Sequence, residues 1–389
     1  MRLLYIGDFT EQFAYRLLRG FLRYGQESGE PWIVRRMPPS YRESKGFRQV
    51  LDWAEKWQAD AVVGQFDPKD PVEEFRRKGI VAVAIDNVSL FREIPNITAD
   101  YARMGEMAAE RFLQLGFREF GYYGYKGVCW SDGRREGFKR RLEEAGAGKH
   151  IHVYDRIRTD TLWSFDQPRL GKWLLSLPKP IAIMACDDTQ GAVLLETCQA
   201  YGIRVPFDVA VVGVDNDEIQ CNMSDPTLSS LDVDMEGGGY EAAEMIGRMV
   251  KDPAYQGHDI VLKPLSIVHR LSSNVIATRD KAVHDALLFI NAHADHKLLV
   301  SDVLAHVPVS RRLLEQRFLK ATGTTLYQYI MQVRVELFAA RLLQSNDTVA
   351  NIAAQLDEPD AKTISRRFQV IKGCTPSEYR KRYLRKLGA

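Results

Sequence analysis

Along the first 270 residues the apolar positions follow two alternating rhythms. Short, nearly continuous runs rich in Val, Ile, Leu and aromatics occur as RLLYIGD (2–8), PWIVRRM (31–37), ADAVVGQF (59–66), IVAVAID (80–86), EFGYYGY (119–125), IAIMACD (181–187) and VAVVGVD (209–215). Between them lie helical patterns such as 101–116, where Met104, Ala108, Phe112 and Leu115 fall on one stripe. Buried strands alternating with amphipathic helices predict parallel, doubly wound sheets covered on both faces.

Four of the runs end in an acid: Asp8, Asp86, Asp187 and Asp215. Ligands of open α/β sheets bind beyond the carboxyl ends of the strands, so these carboxylates are candidates to line a crevice. Each could equally cap the helix that comes after it. A pocket of carboxylates suits a neutral polyol, whose hydroxyls donate to it, and repels phosphate. The segment CWSDGRREGFKRRLEEAG (129–146) adds Trp130 and Arg134. Trp130 is a pocket wall or simple packing. Arg134, near a helix start, opposes the helix dipole, so it is either engaged with an acid or a surface charge.

After HRLSSNVIATRD (269–280) the strand rhythm stops, which places a linker at Leu271–Arg279 and domains at 1–272 and 280–389. The remainder reads as helices. Ser301 is expected to cap a short helix, and Ser310 the next. In that second helix Leu314, Phe318 and Ala321 face inward, Arg311, Arg312, Glu315 and Gln316 face outward, and Gly323 ends it. A longer helix comes next over 326–343, with Leu326, Ile330, Val333, Leu337 and Ala340 inward. The first pattern then recurs: Val349, Ile352, Ala353 and Leu356 mark a short helix, and Ile364, Phe368 and Ile371 the inner face of another. Lys362, Ser365 and Arg366 are left outside. A charge run is usually just a solvated face, and either copy alone would be read that way. Two copies, joined by a helix of about 27 Å at 1.5 Å per residue, match the roughly 34 Å between major-groove faces. Arg and Lys suit guanine and phosphate; Gln suits adenine.

Charge sharpens this picture. Residues 279–389 carry 18 Lys+Arg against 11 Asp+Glu, which leaves 35 against 40 for residues 1–278, although the whole chain is only +2. Such segregation fits one part meeting a polyanion and the other not. The five cysteines are scattered, without metal spacing or a disulfide framework, and free thiols fit a reducing cytosol. No secretory signal and no apolar run of membrane length is read, so a cytoplasmic protein without metal or cofactor is expected. GGGYEA (237–242) satisfies a dinucleotide fingerprint, but Asp232, Asp234 and Glu236 precede it, so it is read as a helix start.

The stretch 181–246, with CDD, GIRVPFDVAVVGVDN and DPTLSSLDVD in that order, resembles the ligand-binding core of LacI/GalR-type repressors and periplasmic sugar-binding proteins. That resemblance, spanning most of 1–275, implies a two-lobed, type I periplasmic-binding-protein-like α/β domain with a sugar between the lobes. By position in the pattern it implies ligand contacts from Asp100, Arg134, Asp187 and Asp215. Phe9, Gln12 and Phe13 fall where a first-lobe contact is expected, and Trp130 would form an apolar wall. The chain departs from those repressors in starting at the first strand and in carrying Asp187-Asp188 for their Asn-Asp. Residues 283–384 resemble the AraC/XylS DNA-binding domain, through Ser310, Leu314, Phe318, Gly323, Arg334, Ile352-Ala353, Phe368, Gly373 and Thr375-Pro376. This implies an all-α domain with two helix-turn-helix motifs. Arg311, Arg312, Glu315 and Gln316 would face one groove, and Ala361, Lys362, Ser365 and Arg366 the next. The family's Gly-Phe in the second turn is Asp357-Glu358, which strains the turn unless Asp357 takes a positive φ. The whole chain resembles xylose-responsive regulators, implying a sugar-controlled, dimeric DNA-binding activator that contacts RNA polymerase. Two alternatives stand beside it: a carbohydrate-active enzyme with paired carboxylates, and a sugar-binding protein with a basic partner-binding tail.

Overall fold

The structure is a computed structural model that describes residues 1–7, 12–86, 88–156, 167–274, 278, 280–345, 347–358 and 360–381. Asp8 and Phe9 lie outside the described residues, as do 275–277, Arg279, Pro359 and 382–389. Each of the seven apolar runs forms a strand. The strands are β1 (Arg2–Ile6), β2 (Ile33–Met37), β3 (Ala61–Gly64), β4 (Val81–Ile85), β5 (Asn96–Ala99), β6 (Glu119–Tyr125), β7 (Ile151–Arg156), β8 (Ile181–Ala185), β9 (Val209–Val214), β10 (Ser229–Val233), β11 (Ile260–Leu262) and β12 (Pro264–Val268).

They build two sheets of order β11-β5-β4-β3-β1-β2 and β12-β10-β9-β8-β6-β7. The first is parallel throughout; the second is parallel except for β12, which runs antiparallel to β10. In the parallel interior the strands are buried on both faces, so β8 and β9 read as unbroken apolar runs. The four strands missing from the sequence rhythm that are short or half-exposed, β5, β7, β11 and β12, lie toward the sheet edges, where alternation is weak.

Helices among the described residues are α1 (Gln12–Glu27), α2 (Pro39–Lys45), α3 (Phe47–Lys56), α4 (Glu73–Arg77), α5 (Tyr101–Gln114), α6 (Cys129–Glu144), α7 (Gln167–Ser176), α8 (Asp188–Ala200), α9 (Glu218–Met223), α10 (Met235–Lys251), α11 (Lys281–Ala292), α12 (Val300–His306), α13 (Arg311–Thr322), α14 (Leu326–Gln344), α15 (Val349–Gln355) and α16 (Ala361–Lys372). The chain passes between the lobes three times: after β5, after β10, and across Lys263 between β11 and β12. The crossing segments are laced by Asp100 N donating to Leu262 O (3.1 Å) and Asp234 N to Lys263 O (2.9 Å). Two of the crossings lead straight into a helix capped by an aspartate, Asp100 for α5 and Asp234 for α10.

After crossing, α5 packs on α6 and α10 on α1. Glycine makes both approaches possible: a β-carbon at Gly137 would stand 1.9 Å from the Ala102 carbonyl oxygen, and one at Gly239 2.0 Å from that of Leu17. In the GGG of the fingerprint-like segment Gly239 is therefore a helix–helix contact, while Gly238 lies against Leu262 of β11. The GGG lies in the first turns of α10, with Gly237 N donating to the capping Asp234.

Leu271–Ser273, placed in the linker by its composition, is instead a 3₁₀ turn sealed against the second sheet. Ser272 Oγ donates to Val211 O (2.7 Å) and accepts from Ser229 N (2.8 Å), and Arg270 is buried beside it. Serine suits a loop, but here the Ser272 hydroxyl satisfies backbone groups of β9 and β10 that would otherwise be buried unpaired.

The C-terminal domain is all-helical with two small cores. One gathers Leu287, Leu314, Phe318, Ile330 and Val333; the other gathers Phe338, Leu342, Ile352, Ile364 and Phe368, and α14 contributes to both. Ser310 caps α13, and Gly323 and Gly373 end their helices at φ +71° and +70°. Ser301 is not a cap: α12 starts one residue earlier, with Leu299 N donating to the side chain of Asp302. In the second turn Asp357 adopts φ +51°, the conformation that the missing glycine would have taken freely.

Candidate ligand cleft and nucleic-acid interface

At the carboxyl ends of the strands one cation organises the cleft. Arg134, in the second turn of α6, is only 5% exposed. Its Nη1 donates to Cys186 O and its Nη2 to Asp215 Oδ1 (3.1 Å). The guanidinium also lies 5.4 Å from the ring centre of Tyr101 and 5.5 Å from that of Trp130. Burial works against its charge, but Asp215 and the surrounding groups keep it protonated. Both open questions about this segment are thereby answered: Arg134 is engaged with an acid, and Trp130 flanks it.

Two further strand-end acids stand close by. Asp187 half-faces the cleft, caps α8 through Gln190 N (2.6 Å), and accepts from the Cys186 thiol. Burial pushes its carboxyl up to about 6. Asp86, beyond β4 of the first lobe, accepts from Thr98 Oγ1 and from Tyr101 OH (2.8 Å), and burial raises it too. Asp188 points inward instead. It is 3% exposed and accepts from Asp217 N (2.7 Å), so the second acid of the pair supports the turn after β9.

The remaining candidates divide between helix ends and packing. Asp100 is exposed, and its carboxylate accepts from Arg103 N (3.0 Å), the helix-cap role. Gln12 donates its backbone N–H toward Asp217 Oδ2 (3.4 Å), and Phe13 packs against the main core. Arg134, Trp130, Asp187 and Asp215 thus come together with Asp86, while Asp100 keeps to its helix end.

Sequence reasoning passed over Tyr101, Thr98, Tyr125 and Gln190. Gln190 Nε2 donates to Tyr125 OH (3.0 Å) and its carbonyl accepts from Arg156 (2.8 Å). These residues lie at or near the ends of ordinary helices and strands. Only the strand-end position of Tyr125, and the place of Tyr101 beside Asp100, offered a signal. A mixed set of carboxylates, one guanidinium, phenols and an indole can hold a polyhydroxylated ring by hydrogen bonds and face contacts.

The second surface is of a different kind. Arg311, Arg312 and Gln316 are exposed on α13, and Arg311 pairs with Glu315 one turn on (2.9 Å). On α16, Ala361, Lys362, Ser365, Arg366 and Gln369 line one concave surface with Thr375. Gln369, one turn beyond Ser365, was not singled out in the sequence, and Thr375 entered there only as a residue of the family pattern.

Beneath this surface the turn expected to loosen is cross-braced. Glu358, standing for the family's aromatic, receives Arg334 (3.2 Å) and Arg367 (3.3 Å). Arg334 is 3% exposed and also donates to the carbonyls of Ala294 and Leu356. Asp357 meets His296 (3.0 Å). A buried ion pair with its remaining protons satisfied replaces the lost apolar contact.

Sensor and reader domains touch. Phe207 packs against the cores of both, α9 lies against α14, and Tyr329 OH donates to Asn274 O (3.2 Å).

Comparison with known proteins finds relatives of both domains. A family described as a periplasmic binding protein-like domain matches residues 109–273, and a helix-turn-helix domain matches residues 303–382. The xylose operon regulatory protein of Escherichia coli (strain K12) is 26% identical over 383 residues, covering 96% of this chain and 95% of that one. Its counterpart from Haemophilus influenzae is 27% identical over 331 residues, covering 82% and 84%. A solved structure described as a xylose-binding transcription activator superposes with a TM-score of 0.72 at 24% identity, covering 98% of this chain and 97% of that one. These relatives are transcription regulators, not enzymes. The chain is therefore a DNA-binding transcription regulator in which a periplasmic-binding-protein-like domain precedes an AraC-type helix-turn-helix domain.

Proposed function

We propose that the protein senses a pentose, D-xylose or a close relative, in the cleft between its lobes, and that occupancy changes how the paired helix-turn-helix motifs hold DNA. The observation that carries this is the acid-lined cleft around buried Arg134, in a chain similar over 96% of its length to a xylose operon regulatory protein. In this reading Arg134, Asp187 and Asp215 exchange hydrogen bonds with sugar hydroxyls, while Trp130 and Phe13 form apolar walls. Asp86 and Tyr101 would meet the sugar from the first-lobe side. The sugar shifts the population toward a closed cleft, and DNA affinity moves only as far as the sugar binds the two states unequally. The protein works in the cytoplasm as a homodimer and activates transcription by contacting RNA polymerase.

The test is thermal melting of the full chain against separate pentoses, hexoses and uronic acids, then DNA titration with the sugar that shifts it. A ligand at 100 times its Kd stabilises by about 2.7 kcal/mol. D-xylose is expected to raise the melting temperature and change operator affinity. A melting temperature indifferent to every pentose would overturn the sugar assignment.

A further inference from the structure

The turn after β9 is an unusual piece of backbone. Asp215 and Asn216 both lie in the left-handed region, at φ +97° and +47°, and neither is glycine. Such a conformation persists only where its surroundings impose it. Here each residue of the turn has its own restraint. Asp215 N donates to Leu231 O (2.9 Å), and Asn216 N donates to Ser230 Oγ (3.0 Å). Asn216 Oδ1 accepts from buried Arg270 (2.8 Å), and Asp217 N donates to buried Asp188 (2.7 Å). All of these partners belong to the second lobe. The first lobe supplies Gln12 N, facing Asp217, and above all Arg16 of α1.

Arg16 Nη1 donates to Asp215 O (2.9 Å) and Nη2 to Val233 O (2.9 Å), and the same guanidinium pairs with Asp232 (2.9 Å). With its side chain 17% exposed, it spans the lobes and grips the ends of two adjacent strands. Asp215 is thereby held from both sides: its carbonyl by Arg16 of the first lobe, its carboxylate by Arg134 of the second.

Beyond the turn, α9 packs on the reader domain before the chain turns back into β10. Asp217 caps α9 by accepting from Ile219 N and Gln220 N, and α9 lies against α14. That helix contributes to the cores of both readers.

We propose that Arg16 is a positioning residue. Closure of the first lobe onto the second seats it on Asp215, which sets the carboxylate for the ligand. The strained turn 215–217 then passes the state of the cleft through α9 to α14 and so to both readers. Ligand and closure favour the same turn, so each strengthens the other. The ligand half of this statement rests on the sugar-sensing reading above; the Arg16–turn–α14 half does not.

Hydrogen–deuterium exchange on the full chain tests the second half without any ligand. In Arg16→Gln, amides of 215–223 are expected to exchange about tenfold faster or more, as for a local opening that has lost a restraint. Exchange across 326–344 should rise with them. Asp232→Asn, which removes the counter-charge of Arg16 and leaves the helix intact, should give the same pattern more weakly, and it decides the matter if Arg16→Gln does not fold. Arg16→Lys should restore part of the protection. Arg23→Gln, which breaks a surface pair between α1 and α10, should leave 215–223 as in the wild type.

Unchanged exchange at 215–223 in both Arg16→Gln and Asp232→Asn overturns the proposal. So does loosening that stops at 223 while 326–344 stays protected, or an identical pattern in Arg23→Gln. Titration of DNA with and without D-xylose completes the test: wild-type affinity should change, and that of Arg16→Gln should not. A wild type indifferent to D-xylose sinks the sugar reading while the exchange results still decide the role of Arg16. A variant as responsive as a responsive wild type sinks the proposal itself.

Discussion

The cleft and the DNA-facing helices use the same kinds of residue in opposite ways. Around the cleft, charge is buried and already committed: Arg134 is held by Asp215 and a carbonyl, and Asp188 lies beneath a turn. On the reader surface Arg312 and Arg366 are exposed, and among the described residues neither takes part in a hydrogen bond or ion pair. A receptor for a small neutral ligand must hold its polar groups in place before binding, because each is desolvated for little return. A reader of DNA keeps its cations hydrated and free until phosphates release their counterions. Behind that surface the logic of the cleft returns, since the reader domain holds Arg334 and Glu358 as a buried pair.

The largest effects should come from breaking committed charge. Glu358→Ala leaves Arg334 buried without its counter-ion, so the C-terminal domain should lose about 3–5 kcal/mol of stability, measured by denaturant unfolding. The cleft should retain its ligand in that variant. Arg134→Ala strands Asp215 and the Cys186 carbonyl, and should cost a comparable amount of about 3–5 kcal/mol while removing the response to ligand. Equal stability of either variant and the wild type would erase the contrast between buried and free charge.

A middle-sized effect is expected where charge is free. Arg366→Ala should weaken operator binding by about 1–3 kcal/mol without changing the melting temperature. If random DNA loses as much, Arg366 contacts phosphate and not a base.

Smaller still is the pH effect in the cleft. The Asp187 carboxyl titrates at about 6 in the fold and near 3.9 in an unfolded chain. The unfolded chain therefore gives up this proton first, and the group makes stability fall as pH rises from about 4 to about 6. Asp187→Asn, which cannot ionise, should gain steadily on the wild type across that window and hold the advantage above it. Melting curves from pH 4 to 8 would reveal it. Least of all, Arg311→Ala should cost about 0.3–0.5 kcal/mol, the worth of an exposed pair one helical turn apart.

How much of this was legible beforehand depends on the range of the interaction. The seven apolar runs became strands, and the caps and stops at Ser310, Gly323 and Gly373 formed as read, because periodicity and helix ends are local properties. Position after a strand put Asp86, Asp187 and Asp215 at the strand ends where the structure has them, and the repeated helical pattern, its spacing and the charge imbalance together pointed to the C-terminal domain. Asp100 came in only through the family resemblance, and its carboxylate closes a helix end. Serines 272 and 273 carried the composition of a linker and lie buried. No local pattern says whether a short polar residue will meet water or a strand end.

By itself the sequence determined the two-part architecture, the parallel character of the central strands and the outward positions of Arg311, Arg312, Gln316, Lys362 and Arg366. Hydrophobic period, turn chemistry and net charge are all carried by neighbours along the chain. Only the tertiary structure decided that Arg16 and Arg134 grip one aspartate from opposite lobes, that Asp188 turns inward, and that Glu358 replaces an aromatic ring with an ion pair. Those contacts join residues as far as 199 positions apart. The first of them exists because the two lobes meet and the others because distant segments pack within one lobe or domain, and no periodicity records where they do.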